Sequence, residues 1–475
     1  MSENTGDGGA TGAHHNPSVS GDYVGQLDLP LKAGWGVGAF GSASMLWLVN
    51  VFLMFFLVNH LGLNPALAGL IVAITRVWDF LDDPLIGYLT DHTRTRWGGR
   101  RPWMFVGAIA SGLAAVFIFN VPRFDSETTT AIYELVMLIL YFTAFTLFYV
   151  PYMAMPADMT DDYSERTSIM SYRVGYSYAA GMVIAAGMPA LISWYGGDRA
   201  AYEKAALMSG ALITATMLLT VFLTGRARHR VAVEETKYTA KEYGQLLIRN
   251  RPFLTLAAIK FLGFLGVAVN GGASLFFMLY VMERAEMGQA FLAFLSSLGG
   301  MICLPLWTWL TRGKDKRRFL AASLLGNALL IMTWTFSGPG ESDFVFGLRS
   351  FLMGAIGVGG LLLTFSMLPD TIEYDRVTTG LDRAGLYTGL LGFVEKSASA
   401  IGPLIIGVVF AAMGVIESAT GAAEQPDSAI LAIIAAKAWI PASLNLLQVA
   451  LLLAYRLNEE TLQELRAERG QVHAT

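Results

Sequence analysis

Thr75-Arg76-Val77-Trp78-Asp79-Phe80-Leu81-Asp82-Asp83-Pro84-Leu85-Ile86-Gly87 sets one arginine and three aspartates in a run otherwise apolar enough to cross a bilayer. Each charged side chain at a bilayer centre costs about 2.5–3.5 kcal/mol on insertion scales. Four of them are tolerable only where they face a protein interior, pair with one another or bind an ion. Asp79 and Asp83 are four residues apart and share a helix face; Asp82 borders that face, and Arg76 precedes it by one turn. Pro84 frees a backbone carbonyl nearby. Carboxylate, carbonyl and hydroxyl oxygens together suit a hard cation or a proton. A buried ion-pair network that only ties helices together is the alternative. The local charges do not balance, which favours a cation site at Asp79 and Asp83, with sodium as the metal candidate there. Asp82 could belong to it or line the cytoplasmic end of a cavity. Carboxylates this close cannot all ionise easily, so a proton is the favoured coupling ion over sodium.

The surrounding chain is a membrane protein by composition. Of 475 residues, 54% are hydrophobic and 15% charged, against roughly 25% charged in a soluble domain. Mean hydropathy is +0.50. Apolar runs long enough for a span recur throughout. The net charge of −4 comes with basic residues confined to short loops, which argues against a nucleic-acid partner. Cys303 is the single cysteine and falls within a span, so no disulfide framework or thiolate metal centre is expected. No cofactor is implied, and the expected partners are the lipid bilayer and a small solute bound by a monomer.

The apolar runs divide into twelve spans between Gly34 and Tyr455. Loops after the second, sixth and eighth spans hold Arg94 to Arg101, Arg226 to Arg249 and Arg312 to Arg318, while the alternate loops are poor in Lys and Arg. The positive-inside rule then puts both termini in the cytoplasm, in a plasma (inner) membrane. The halves repeat. Met155-Pro156-Ala157-Asp158 after the fourth span matches Leu368-Pro369-Asp370 after the tenth, and Asp83-Pro84-Leu85 matches Leu304-Pro305-Leu306. The expected fold is an all-α membrane protein of the twelve-helix major facilitator type, two six-helix bundles in parallel pseudo-repeat. The expected division is a disordered cytoplasmic tail at 1–31, a bundle at 32–225, a cytoplasmic linker with an amphipathic helix at 226–252, a second bundle at 253–456 and a tail at 457–475.

Other polar residues fall at membrane depth. Lys396 sits inside the eleventh span and Arg173 near the start of the fifth. Either could orient a solute; Lys396 could equally be a counter-ion to Glu395 or to a second-span carboxylate. Arg349, Lys260 and Lys437 lie nearer span ends and read as snorkelling side chains. Thr146, Tyr149, Tyr152, Asn50 and Asn270 could reach a midplane cavity, although such residues also glue helices together. On the cytoplasmic side, Asp91, Arg94, Asp158, Asp162, Glu165 and Arg166 are gate candidates. Opposite charges on separate bundles can form pairs that break as the halves rock. No His/Cys/Asp cluster or nucleophile motif stands at membrane depth, so an enzyme is not expected.

Arg76 to Gly87, followed by Asp91 and by Thr93-Arg94-Thr95-Arg96-Trp97-Gly98-Gly99-Arg100-Arg101-Pro102-Trp103, resembles the glycoside–pentoside–hexuronide:cation symporter family, the melibiose-permease type. Val150-Pro151-Tyr152, Glu165-Arg166 to Arg173, and Lys396 fit as well. The resemblance covers all twelve spans and implies cation-coupled symport of a sugar, glycoside or hexuronide by alternating access. It implies a cation held at Asp79 and Asp83 with help from Thr146, and solute binding and coupling through Arg173 and Lys396. Two departures stand out. Family aspartates that bind galactosides fall on Ala43 and Tyr149 here. With Arg173 and Lys396 kept, the pocket reads as electropositive, which leans toward an anionic sugar such as a hexuronide. Family relatives that carry lysolipids leave a non-sugar amphiphile as the alternative.

Overall fold

The computed structural model describes residues 27–159, 163–226, 250–311, 314–379, 384–418, 423–455, 457 and 461. Among these there is helix and no strand. Ten helical rods are long and apolar enough to cross a membrane: α1 Leu29–Asn59, α4 Glu127–Pro156, α5 Ser168–Trp194, α6 Arg199–Arg226, α7 Arg251–Tyr280, α8 Glu286–Thr311, α9 Lys316–Phe336, α10 Asp343–Thr379, α11 Tyr387–Ala412 and α12 Asp427–Ala454. Two further rods complete the expected twelve. α2, Pro65–His92, is long enough but carries the four charges of the opening motif. α3, Arg101–Phe117, is apolar but short. The apolar run extends to Val121; the helix stops earlier, where the chain turns ahead of Pro122.

Local chemistry sets the rod ends. Asn64 caps α2 by accepting from the Ala66 N–H at 3.0 Å, and Pro65 follows at the first helical position, where its missing N–H costs nothing. Asn250, Asp315 and Ser342 cap α7, α9 and α10 in the same way. Inside α1, α5 and α12 the helix widens to a π-helical turn, at Leu48–Leu53, Gly181–Ala186 and Ala435–Trp439.

Packing repeats with an offset of six. In the first half α1 packs on α5 and α6, α2 on α4, and α3 on α4 and α6. In the second half α7 packs on α11 and α12, α8 on α10, and α9 on α10 and α12. The halves meet along α2 against α11, α5 against α8, and the π-turn of α1 against α7. At the end opposite the basic loops they are pinned together. The Asn59 amide donates to the Tyr280 hydroxyl at 3.0 Å, and the Ser418 N–H to the Val58 carbonyl at 3.0 Å. There α2 and α11 cross on Gly69 and Gly407. A Cβ on Gly69 would lie 2.6 Å from the Pro403 carbonyl oxygen, and one on Gly407 2.5 Å from that of Pro65. Only glycine permits this approach.

The linker helix expected near 239–249, both tails beyond the residues above, and Asp162 lie outside the described residues, as do the side chains of Asp91, Asp158, Glu165 and Arg166. Arg94 is exposed just beyond α2. The described charge contacts on this side lie within one half: Lys316 at the start of α9 meets Asp370 at 2.8 Å, Arg318 meets Asp315 and Arg376 meets Glu373.

Candidate functional site

The rod that fails the apolarity test carries the site. Asp79, Asp82 and Asp83 of α2 turn toward Thr146 of α4 and Lys396 of α11. Asp79 and Asp82 are buried, and Asp83 is partly open. The Thr146 hydroxyl lies 3.1 Å from Asp82, 3.4 Å from Asp79 and 3.5 Å from Asp83. It has one proton, so it donates to one carboxylate at a time, best to Asp82. The second oxygen of Asp82 is buried and has no hydrogen-bond partner among the described residues. One oxygen from each aspartate lies within 4.8 Å of the others. Oxygens at that spacing can surround one hard cation at about 2.4 Å each.

Lys396 reaches this cluster from the opposite half. Its ammonium donates to Asp83 at 2.5 Å and to the Asp79 backbone carbonyl at 2.9 Å, and it lies 3.3 Å from the Asp79 carboxylate. Phe80 and Phe393 pack beside the pair, ring centres 4.7 Å apart. Lys396 therefore stands among the α2 carboxylates. Its charge is committed to the cation cluster, one of the two counter-ion roles that the sequence leaves open. Arg76 does not turn to Asp79. It donates to Asn50 at 2.6 Å and lies over the Phe142 ring at 4.6 Å.

A second polar group stands within the first half. Arg173 of α5 donates to the Tyr149 hydroxyl of α4 at 3.0 Å, and the Tyr149 ring stacks on Phe145. Counting about 1.5 Å per residue from the basic-loop ends of the helices, at His92, Met159, Tyr163, Arg251 and Ala384, Asp83, Tyr149, Arg173, Lys260 and Glu395 all lie roughly 14–17 Å deep. They share one level.

Three expected solute contacts are corrected. Tyr152 is wholly buried, its ring stacked on Trp35 at 4.6 Å, so it packs the first bundle. Asn50 accepts from Arg76. Asn270 donates to the Lys437 carbonyl at 2.9 Å and accepts from the Lys437 ammonium at 3.2 Å. Two lysines that read as snorkelling do not snorkel. Lys437 is fully buried in the π-turn of α12, donating to Ser274 at 2.9 Å, and Ser274 in turn donates to Gln289 at 2.6 Å. Lys260 is buried and paired with Glu395. Arg349 lies at its rod end as expected, tied to Glu341 at 2.9 Å and stacked over Trp334. In the sequence Glu395 stands out only as a partner for its neighbour Lys396; the complementary charge of Lys260 is the available signal for the true pair.

Comparison with known proteins agrees with this architecture. The "Putative glycoside/cation symporter YagG" of Escherichia coli (strain K12) is 29% identical over 81% of this chain and 83% of its own length. The isoprimeverose transporter of Lactiplantibacillus pentosus is 25% identical over 90% of this chain and 89% of its own. The crystal structure of a point mutant of the nucleoside transporter NupG superposes with a TM-score of 0.63, covering 89% of this chain and 99% of that one. At 10% identity it shares the fold alone, the twelve-helix facilitator arrangement of two six-helix bundles. The family model described as MFS/sugar transport protein matches residues 34–459, and the chain belongs to that family of membrane transporters.

Proposed function

We propose that this protein is a secondary active transporter that couples the movement of a proton or sodium ion to uptake of a sugar or glycoside by alternating access. The observation that carries the reading is Lys396, on the second half, inserted among Asp79 and Asp83 of the first half. A binding site that spans both halves can only persist in conformations that keep the halves together there. Asp79, Asp82, Asp83 and Thr146 hold the cation, and the Lys396 ammonium stands in for it when no ion is bound. An arriving ion displaces that ammonium and thereby changes the contacts between the halves. Arg173 and Tyr149 orient the solute at the same depth. YagG and the isoprimeverose transporter bear names for glycoside/cation symport and for isoprimeverose transport, which supports this class of cargo.

The basic loops face the cytoplasm in this reading, with both termini on that side and the protein acting as a monomer in the inner membrane. Residues 32–225 and 253–456 form the two bundles, joined by a linker at 226–252 and flanked by cytoplasmic tails. Asp91, Arg94, Asp158, Asp162, Glu165 and Arg166 serve as the cytoplasmic gate. The test is reconstitution into vesicles with imposed sodium or pH gradients and a panel of labelled glycosides. Accumulation that follows one gradient and disappears in Asp79→Asn is expected. Uptake of every solute indifferent to both gradients would falsify cation coupling.

A further inference from the structure

The Lys260–Glu395 pair is not accounted for by the cation site. Lys260 lies on α7 with its side chain 2% exposed, its ammonium 3.8 Å from the centre of the Phe365 ring. Covered in this way, it cannot reach a solute. Its partner can. The Glu395 side chain is 31% exposed, and Lys260 engages one of its carboxylate oxygens. Arg173 stands at the same depth on the other side of the boundary between the halves. At the depth of Arg173, leaving aside the α2 aspartates and Asp370, which is paired with Lys316 at the start of α9, Glu395 is the one acidic residue on α1, α4, α5, α7, α8, α10 or α11.

We propose that Glu395, oriented by Lys260, is the carboxylate that accepts hydroxyl hydrogens from the transported solute, and that this solute is a neutral glycoside rather than a uronide. The proposal deepens the sugar-transport reading above and rests on it. The balance of charge favours the neutral cargo. Lys396 and one bound ion together do not outweigh the three α2 aspartates, and Lys260 is paired with Glu395. Arg173 donates to a neutral phenol, Tyr149, and Glu395 stands at its depth across the boundary between the halves. A uronide carboxylate drawn to Arg173 would meet Glu395 in the same space. A neutral sugar instead presents hydroxyls that donate to Glu395 and oxygens that accept from Arg173. Such a ring joins the second half to the first through one ligand. Carboxylate acceptors make charge-assisted hydrogen bonds, the stronger class.

The test compares the full-length wild type, Glu395→Gln and Lys260→Met in detergent. Binding is followed by thermal shift and titration with a panel of neutral mono- and disaccharides that includes isoprimeverose, and with methyl β-glucuronide. Expected is neutral-sugar binding by the wild type that weakens about tenfold or more in Glu395→Gln, the scale of a lost hydrogen bond to a charged acceptor. Lys260→Met should weaken it too, by leaving Glu395 unoriented. Binding of the glucuronide should not weaken in Glu395→Gln, and the thermal response to sodium and to acid should match wild type in both variants. That response shows the variants folded, and a purely structural role would not change which sugar is preferred. Neutral-sugar affinity in Glu395→Gln within about threefold of wild type overturns the assignment and leaves sugar symport standing. Wild-type preference for the glucuronide overturns the neutral-cargo claim. Binding of no sugar at all overturns both this proposal and the reading it rests on.

Discussion

Replacing Lys396 by methionine keeps the apolar stem and removes the ammonium that sits between two carboxylates. Wild-type Lys396 makes contacts of 2.5 Å to Asp83, 2.9 Å to the Asp79 carbonyl and 3.3 Å to the Asp79 carboxylate. Breaking a buried ion pair by removing one partner costs about 3–5 kcal/mol, because the other charge stays behind unpaired. Asp79 is 2% exposed and suffers that penalty in full, whereas Asp83 at 32% exposure recovers some hydration. The loss should therefore lie near the low end, about 3 kcal/mol, in sodium-free buffer near neutral pH. A cation that binds the folded site restores stability by mass action, about 2.7 kcal/mol at a hundredfold excess over its dissociation constant. With no ammonium to displace, the ion should also bind more tightly than in wild type. Thermal unfolding of the purified variant should show a deficit that nearly closes when the coupling ion is supplied, sodium or acid. Vesicles holding the variant should not accumulate solute against a gradient. A deficit of equal size under all ionic conditions, or no deficit, would mean that Lys396 is not the stand-in for the cation.

Three further outcomes follow from the geometry. Asp82→Asn should remove the pH-gradient dependence of uptake while costing under about 1 kcal/mol in folding, since the amide oxygen can still accept from Thr146; accumulation still driven by a pH gradient would exclude Asp82 as proton carrier. Gly407→Val drives a side chain into the Pro65 carbonyl at the α2–α11 crossing and should cost about 1–3 kcal/mol; it should also expose a cysteine introduced at Asn59 to labelling, and unchanged labelling would refute the closed crossing. His60, just past the end of α1, stacked on Phe56 and beside Tyr202, is held by burial down at about 4 from 6.5. An unfolded chain protonates His60 below about 6.5 while the folded one resists, so the stability it contributes is complete above that pH and fades by about 3 kcal/mol as pH falls toward 4. His60→Phe should flatten that slope in detergent unfolding, and an identical slope would show that other groups set it.

The aspartate cluster was legible because its signal is one of cost. Four charges in a spanning helix demand an explanation from the sequence alone, and the i, i+4 spacing of Asp79 and Asp83 already fixes their common face. The repeat of short motifs in the two halves likewise foretold the offset-by-six packing. What sequence could not supply was rotation about each helix and the identity of the neighbour. Tyr149 and Tyr152 are three residues apart, which leaves about 60° between their directions. That difference sends one hydroxyl to Arg173 and the other ring into the stack on Trp35. Lys260 and Lys437 sit near enough to rod ends that snorkelling was the cheaper reading. It failed because Glu395 and the Asn270–Ser274 pair supply local partners that no spacing along a single helix reveals. The Asn50 amide oxygen accepts from a guanidinium and that of Asn270 from an ammonium, partners on other helices that sequence spacing does not reveal.

The arrangement has a consequence for coupling that neither half carries alone. The acids belong to α2 and the ammonium to α11, while Arg173 belongs to α5 and Glu395 to α11. In the proposed reading two ligands bridge one boundary, and α11 contributes to both through adjacent residues. A cation that releases Lys396 from Asp79 and Asp83 frees the α11 segment that also carries Glu395, and a rotation of α11 small enough to keep its packing on α7 would move both side chains together. Ion occupancy and solute geometry are then linked by one peptide unit rather than by a long chain of contacts. Pinned at the Gly69–Gly407 crossing, the halves can pivot about that point, and the level roughly 14–17 Å from the other end is where a small angular change moves side chains far enough to make or break hydrogen bonds. Empty of ion, the site holds itself together through Lys396; loaded with ion alone, it loses that bridge. Only ion and solute together replace both links across the boundary, which is the condition symport requires.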